Sequence, residues 1–176
     1  MRASDPGRLC PRDIALQALC AALLFALQVA MAALPNIELI SLLIILFTLR
    51  FGRKALLAIY TFALLEGIWY GFHIWWIMYL YVWTILWALV TFFSRGDRQR
   101  GRLFWAGLSG LFGLVYGFLC SFPYLALGGI KMAYSWWLAG LPFDLIHGVS
   151  NFILTLTLFP PLDRVTKALI SGASRF

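Results

Sequence analysis

The chain has 176 residues, of which 62% are hydrophobic and 12% are charged. A typical soluble domain is about 45–50% apolar and about 25% charged, so this composition excludes an ordinary soluble protein. The formal net charge of +7 does not indicate nucleic-acid binding, because the basic residues gather between apolar segments, as they do in the cytoplasmic loops of membrane proteins.

Six apolar segments follow one another along the chain. A helix that crosses a bilayer needs about 20 residues, so six crossings and their connections account for the whole chain as one domain, 1–176. The second segment is short for a full crossing. We predict an all-α membrane protein, a six-transmembrane-helix bundle. The segments are 13 to 33, 39 to 51, 54 to 72, 74 to 93, 103 to 128 and 142 to 160.

The positions of lysine and arginine predict the orientation of the bundle. Cytoplasmic connections of membrane proteins are rich in these residues, because positively charged loops resist translocation. With the amino terminus inside, all but one of the 14 lysines and arginines lie on the cytoplasmic side, the exception being Lys131. Both termini are therefore predicted to be cytoplasmic.

Small residues recur every four positions in the first segment, and residues at that spacing lie on one face of a helix. Such a face allows another helix to approach closely in lipid. Packing inside the bundle and docking of a separate subunit both remain open. The alanines are Ala18, Ala22, Ala26 and Ala30. The fifth segment has a similar row, for which we predict internal packing: Gly110, Gly113 and Gly117.

Polar side chains occur at membrane depth, where a charged group near the helix centre costs about 2.5–3.5 kcal/mol on insertion scales. Helical spacing places one set on the third helix and one on the sixth, both opening to the outer side, where Glu38 joins them. We expect a substrate cavity there; a structural network and a metal site are the alternatives. The two sets are Glu66, Tyr70 and His73, and Asp144, His147 and Asn151.

Aromatic residues make up 17% of the chain. A stripe along the fourth helix would wall a pocket for a flat ligand, although core packing explains the same stripe. Residues 128 to 141, which contain Trp137, are predicted to be the longest outer connection and a lid. The stripe consists of Trp76, Tyr79, Trp83 and Trp87.

Motifs of catalysis are missing from the sequence. There is no G-x-x-x-x-G-K-[ST] motif, so the chain is not expected to hydrolyse nucleotide. There is no G-x-S-x-G elbow and no metal-site spacing such as C-x-x-C or H-E-x-x-H. We therefore predict that the protein is not an enzyme and holds no metal or cofactor.

Three stretches carry a family resemblance. They are PNIELISLLIILFTLRFGRKAL from Pro35, LLEGIWYGFHIWWIMYLYVWT from Leu64 and LPFDLIHGVSNFILTLTLF from Leu141. With six helices and an alanine-spaced first helix, the chain resembles the substrate-binding S component of energy-coupling factor (ECF) transporters over nearly its whole length.

The resemblance implies a multi-pass protein of the bacterial cell membrane that captures a vitamin or related micronutrient at the outer face. An S component then delivers its cargo by reorienting in a complex with a transmembrane T component and two cytoplasmic ATPases. The family's A-x-x-x-A contact with the T component maps onto Ala18 and Ala22, with Ala22/Ala26 and Ala26/Ala30 as equivalent registers. Metal cargo is not expected, because the amino-terminal Met-His pair of nickel and cobalt members is replaced by Met1-Arg2.

The resemblance also predicts which residues meet the cargo, under the connections 33 to 38, 71 to 75 and 128 to 141. Acidic side chains outnumber basic ones there, so we expect a neutral or cationic, aromatic cargo. The alternatives are a stand-alone small-molecule permease and an intramembrane enzyme. The candidate substrate-binding residues are Glu38, Glu66, Tyr70, His73, Trp76, Tyr79, Trp137, Asp144, His147 and Asn151.

Overall fold

The computed structural model describes residues 9–95 and 100–173, without the side chains of 169–173, and every regular element in those ranges is helical. The prediction of an all-α protein is therefore confirmed. The helices are α1 Pro11–Ala30, α2 Ile40–Phe51, α3 Ala55–Tyr70, α4 Ile74–Phe93, α5 Arg102–Cys120 and α6 Phe122–Ala173, with a short 3-10 helix, Gly52–Lys54, between α2 and α3.

Four helices, α1, α4, α5 and α6, are long and apolar enough to cross a membrane. They support a membrane-embedded protein. The other two, α2 with 12 residues and α3 with 16, are shorter than the roughly 20 residues of a full crossing. Six crossings therefore stay a prediction.

The short helix α2 lies at the centre of the bundle. All residues from 40 to 48 are buried, and α2 contacts each of the other five helices. A helix that is apolar on all sides is typical of a protein interior. Because its neighbours surround it, α2 contributes little surface to lipid.

α6 is interrupted near its start by Gly128 and Gly129, which have non-helical backbone angles. Gly129 has a φ of 70°, which glycine adopts without steric cost. The ring of Tyr124 stacks on that of Trp136 at 4.9 Å, so the chain folds back on itself at the two glycines. We call residues 122–127 the first arm of α6 and residues 130–173 its second arm.

The prediction of a long connection and lid at 128 to 141 is wrong, because the helix resumes directly after Gly129. Trp137 lies on the second arm, where its ring contacts those of Phe118 and Tyr134. These ring contacts help to hold the returning chain against α5. Only the glycine pair is left as the connection at this place.

The glycines of α5 allow α6 to pack closely against it. A methyl group at Gly113 would lie 2.8 Å from the backbone of His147 and Gly148, and one at Gly110 would lie 3.0 Å from the side chain of Phe152. At Gly117 a methyl group would meet the carboxylate of Asp144. The predicted internal packing of this glycine row is therefore confirmed.

Gly113→Ala is expected to lower the free energy of unfolding by about 1–3 kcal/mol, because the new methyl group meets backbone atoms that cannot rotate away. Gly107→Ala is the matched control, since a methyl group there has open space around it. Alanine favours a helix by up to about 1 kcal/mol over glycine, so this control is expected to be neutral or stabilising. Denaturation by SDS in mixed micelles measures both; equal behaviour of the two variants would contradict the packing.

Ion pairs join helix ends at the pole of the bundle opposite the α1–α2 connection. Lys54 Nζ donates to Asp13 Oδ2 at 2.7 Å, and Arg50 pairs with Asp163 on the second arm of α6. Lys167 also pairs with Asp163, at 2.7 Å. We call this pole the basic pole.

Candidate functional site

A cavity of about 170 Å³ lies beneath the connection between α1 and α2. Residues of that connection form its cover, and α4, α5 and α6 contribute its walls. An engineered apolar cavity of about 150 Å³ holds one benzene molecule, so this volume suits a ligand with a single ring. The polar and aromatic residues of the lining are Gln28, Glu38, Tyr79, Trp83, Tyr116 and His147.

The carboxylate of Glu38 and the imidazole of His147 form the charged part of the lining. Glu38 Oε1 lies 3.1 Å from His147 Nε2, and both side chains are largely buried. Glu38 also accepts hydrogen bonds from the backbone N–H and the hydroxyl of Ser41, at 2.9 and 2.6 Å. The imidazole of His147 and the two donors of Ser41 thus hold the Glu38 carboxylate at the edge of the cavity.

These contacts favour the ionised form of Glu38. Burial acts to raise its pKa, but the hydrogen bond and charge of His147 and the two bonds from Ser41 outweigh burial, so the pKa lies below its usual value. A carboxylate with a lowered pKa stabilises the fold above its unfolded pKa of about 4.3, and that contribution is lost as the pH falls through the lowered value. Glu38 is therefore an anion at neutral pH.

The cover of the cavity is fastened to α6 at a second place. Ser150 Oγ donates to the backbone carbonyl of Asn36 at 3.0 Å. Asn36 has a φ of 57°, in the left-handed region that asparagine tolerates better than most residues. This contact and the Glu38–His147 pair hold the α1–α2 connection on the last helix.

Three aromatic rings form the wall opposite the cover. The Trp83 ring lies 5.6 Å from that of Tyr79 and 5.7 Å from that of Tyr116, and Tyr116 meets the His147 ring edge-on at 4.8 Å. Gln28 Nε2 donates to the Tyr79 hydroxyl at 3.4 Å. The wall thus places aromatic rings and tyrosine hydroxyl groups beside a single carboxylate.

The predicted polar set of the last helix shares one buried face of α6. His147 lines the cavity, and Asn151 Nδ2 donates to Ser41 Oγ at 3.1 Å, next to Glu38. Asp144 is buried one turn away, where its Oδ1 accepts the backbone N–H of Gly117 at 2.8 Å. Asp144 and Asn151 are not part of the cavity lining.

The predicted polar set of the third helix is not brought together. α3 ends at Tyr70, and Gly71, with a φ of 89°, turns the chain away from the helix. Glu66 is buried, whereas Tyr70 and His73 are exposed. The prediction that the three share a helix face is therefore wrong, and none of them lines the cavity.

The other predicted aromatic residues lie outside the cavity as well. Trp76 donates its indole N–H to the carbonyl of Ala63 at 2.8 Å and lines, with His73, an apolar groove between α4 and the first arm of α6. Of the predicted stripe on α4, Tyr79 and Trp83 reach the cavity. Trp137, on the second arm of α6, is not among the lining residues.

Three polar or aromatic lining residues, Gln28, Trp83 and Tyr116, are not among the predicted substrate-binding residues, although Trp83 belongs to the predicted aromatic stripe. Gln28 is the polar residue of the otherwise apolar stretch 18–30 of α1, which is the one signal the sequence offers for it. Tyr116 lies between Gly113 and Gly117 on α5 and has no such signal. Within the described ranges, no group of three or more histidine, cysteine, aspartate and glutamate residues is arranged to hold a metal ion.

The alanine row of α1 lies on the outside of the bundle. Ala18, Ala22 and Ala26 are exposed, while Gln17, Ala21 and Leu24 form the buried face of the helix. The alternative of packing inside this bundle therefore does not apply to the row. The row leaves a line of small side chains on α1 open to lipid or to another helix.

Comparisons with protein-family models, curated proteins and solved structures found no match. A function for the chain is therefore argued from the cavity, its charges and the surfaces around it.

Proposed function

We propose that this chain is the substrate-binding S component of an ECF-type importer. It captures a vitamin or related micronutrient at the outer face of a bacterial cell membrane and delivers it by reorienting within a complex. The observation that carries the proposal is the covered cavity at one pole of the bundle, lined by a carboxylate, an imidazole and aromatic rings. A capture protein needs such a site at one end only.

The distribution of charge supports the orientation of this cavity. The described arginine and lysine side chains lie mainly around the basic pole, as at Arg50, Lys54 and Lys167, and positively charged ends stay in the cytoplasm. The α1–α2 connection then lies at the outer face. In this arrangement all six helices traverse the bundle, and both termini are cytoplasmic.

The exposed alanine row supports docking of a T component on α1. Helices associate in lipid where small side chains let their backbones approach, because there is no hydrophobic contrast to drive them together. A contact through Ala18, Ala22 and Ala26 leaves the cavity on the other side of α1 free. The two ATPase subunits supply the nucleotide hydrolysis for which this chain has no motif.

Ala22→Trp is expected to reduce uptake in cells at least about tenfold, because an indole keeps the partner helix away from α1. Ligand binding by the isolated protein is expected to stay within about twofold, since Ala22 is exposed on the face away from the core. Ile68→Trp, at an exposed position of α3, is the control and is expected to leave both unchanged. Loss of binding in Ala22→Trp would contradict a docking role.

Copurification tests the proposal directly. Tagged protein from its native membrane is expected to carry a T component and two ATPases, and mass spectrometry of the released small molecules identifies the cargo. Stable isolation without either partner, under conditions that preserve other membrane complexes, would contradict the proposal.

One observation favours a stand-alone permease as the second candidate. Between the cavity and the basic pole, four buried side chains on four helices have polar atoms without a hydrogen-bond partner in the described structure: Gln17, Thr48, Ser109 and Thr155. Such groups would line a polar route through the bundle. Transport by the chain alone in proteoliposomes, without ATPases, would favour the permease over the S component.

A further inference from the structure

We infer that the cavity beneath the α1–α2 connection takes a single-ring organic cation that pairs with the Glu38 carboxylate. The inference rests on the proposed function, because it names the cargo class of the same cavity. It combines the volume, the charge and the aromatic wall of the site.

The charge of the lining selects against anions. Glu38 is its acidic residue and His147 contributes its one imidazole, and no lysine or arginine lies among the lining residues. An anionic ligand would meet the Glu38 carboxylate at low dielectric, where like charges repel most strongly. A cation instead gains a counter-ion that is already desolvated and held in place by Ser41.

The aromatic wall adds a second preference for positive charge. The rings of Tyr79, Trp83 and Tyr116 lie beside the cavity, and ring faces attract cations, most strongly where water is excluded. A flat ring with a positive charge in or near its plane can contact the aromatic wall and pair with the Glu38 carboxylate at the same time. The volume leaves room for one ring and a small substituent.

His147 has an unused hydrogen-bonding atom in this site. Its Nε2 faces Glu38, while its buried Nδ1 has no partner in the described structure.

The experiment uses the full chain in lipid nanodiscs and three probes with a single ring. N-methylpyridinium is a permanent cation, pyridine N-oxide is a neutral molecule of similar size, and benzoate is an anion. Binding is measured by ligand-observed NMR titration. At about pH 8 the cation is expected to bind at least about tenfold more tightly than the neutral probe, and benzoate most weakly.

His147→Asn tests whether the charge preference belongs to Glu38. The variant removes the imidazole but keeps the carboxylate and its two hydrogen bonds from Ser41, so it is expected to retain the preference for the cation over the neutral probe.

Glu38→Gln tests the counter-ion, with Asp13→Asn as the matched control. Both remove one carboxylate, but Asp13 pairs with Lys54 near the basic pole. Only Glu38→Gln is expected to abolish the preference for the cation. Should Glu38→Gln not fold, the charge preference of the unmodified protein decides, since it needs no variant.

Several outcomes would overturn the inference. These are tightest binding of benzoate, equal binding of cation and neutral probe, no binding of any probe, or loss of the cation preference in His147→Asn. Copurification of T component and ATPases is scored separately. Partners without a cation preference overturn only the ligand class, and a cation preference without partners overturns only the proposed transporter function.

Discussion

Trp83→Ala is expected to lower the free energy of unfolding by about 3–5 kcal/mol. The indole is 2% exposed and contacts the rings of Phe62, Tyr79, Phe112 and Tyr116. Alanine would leave a void between α3, α4 and α5, because four aromatic side chains cannot all move to fill it. The indole N–H has no hydrogen-bond partner in the described structure, so the loss comes from packing.

Trp69→Ala is the control for this prediction. Trp69 is 64% exposed, with its one described ring contact to Phe25, so its loss is expected to cost less than about 1 kcal/mol. Denaturation in SDS mixed micelles, followed by circular dichroism, compares the two variants. Similar losses of stability in the two variants would mean that Trp83 lies at the surface of the folded protein. They would contradict its place in the aromatic wall of the cavity.

The helices of the first half of the chain could be predicted from the sequence because their signals are local. Apolar runs interrupted by Pro35, Gly71 and the polar stretch after Phe93 place the ends of α1 to α4 within a few residues of those observed. What the sequence could not predict is the length of α6. Gly128-Gly129 indicates the start of a loop and Pro142 the start of a helix, so local signals predict a connection between them.

Contacts distant in sequence override those two local signals. The stacking of Tyr124 on Trp136 and the contact of Phe118 with Trp137 exist only once the chain has folded back. These contacts hold residues 130 to 141 against α5 and the first arm of α6. The sequence pattern of a single segment cannot predict such a contact with another segment.

In the candidate site, too, local spacing predicts some features, whereas others depend on contacts between residues distant in sequence. The spacing of Asp144, His147 and Asn151 predicts a shared helix face, and the structure has it. That Glu38 would meet His147, 109 residues away in the chain, follows from the placement of a connection over α6, which no periodicity encodes. The spacing of Glu66, Tyr70 and His73 misled because α3 ends before His73.

Asp144→Ala and Gly117→Ala are each expected to destabilise the protein by about 1–3 kcal/mol, for opposite reasons. The Asp144 carboxylate occupies the space that Gly117 leaves by lacking a side chain, and its Oδ1 accepts the Gly117 N–H at 2.8 Å. Asp144→Ala empties this space and removes the acceptor. Gly117→Ala drives a methyl group into the carboxylate.

The double variant Gly117→Ala/Asp144→Ala is expected to lose less free energy of unfolding than the two single variants together, by about 1–2 kcal/mol. The reason is that the methyl group added at position 117 fills the space that the carboxylate vacates. SDS denaturation of the four proteins measures this coupling. Additive losses would mean that the two residues do not touch. Asp144→Asn, which keeps an acceptor of the same shape, is expected to lose less stability than Asp144→Ala.

The same variants separate a structural role of Asp144 from a role in cargo binding. Because Asp144 is not part of the cavity lining, Asp144→Asn is expected to bind N-methylpyridinium within about threefold of the unmodified protein, whereas Glu38→Gln loses its preference for the cation. NMR titration of both variants at the same folded concentration compares them. An equal loss of affinity would place Asp144 at the ligand and would require the cavity to extend behind His147 along α6 when the cargo is bound.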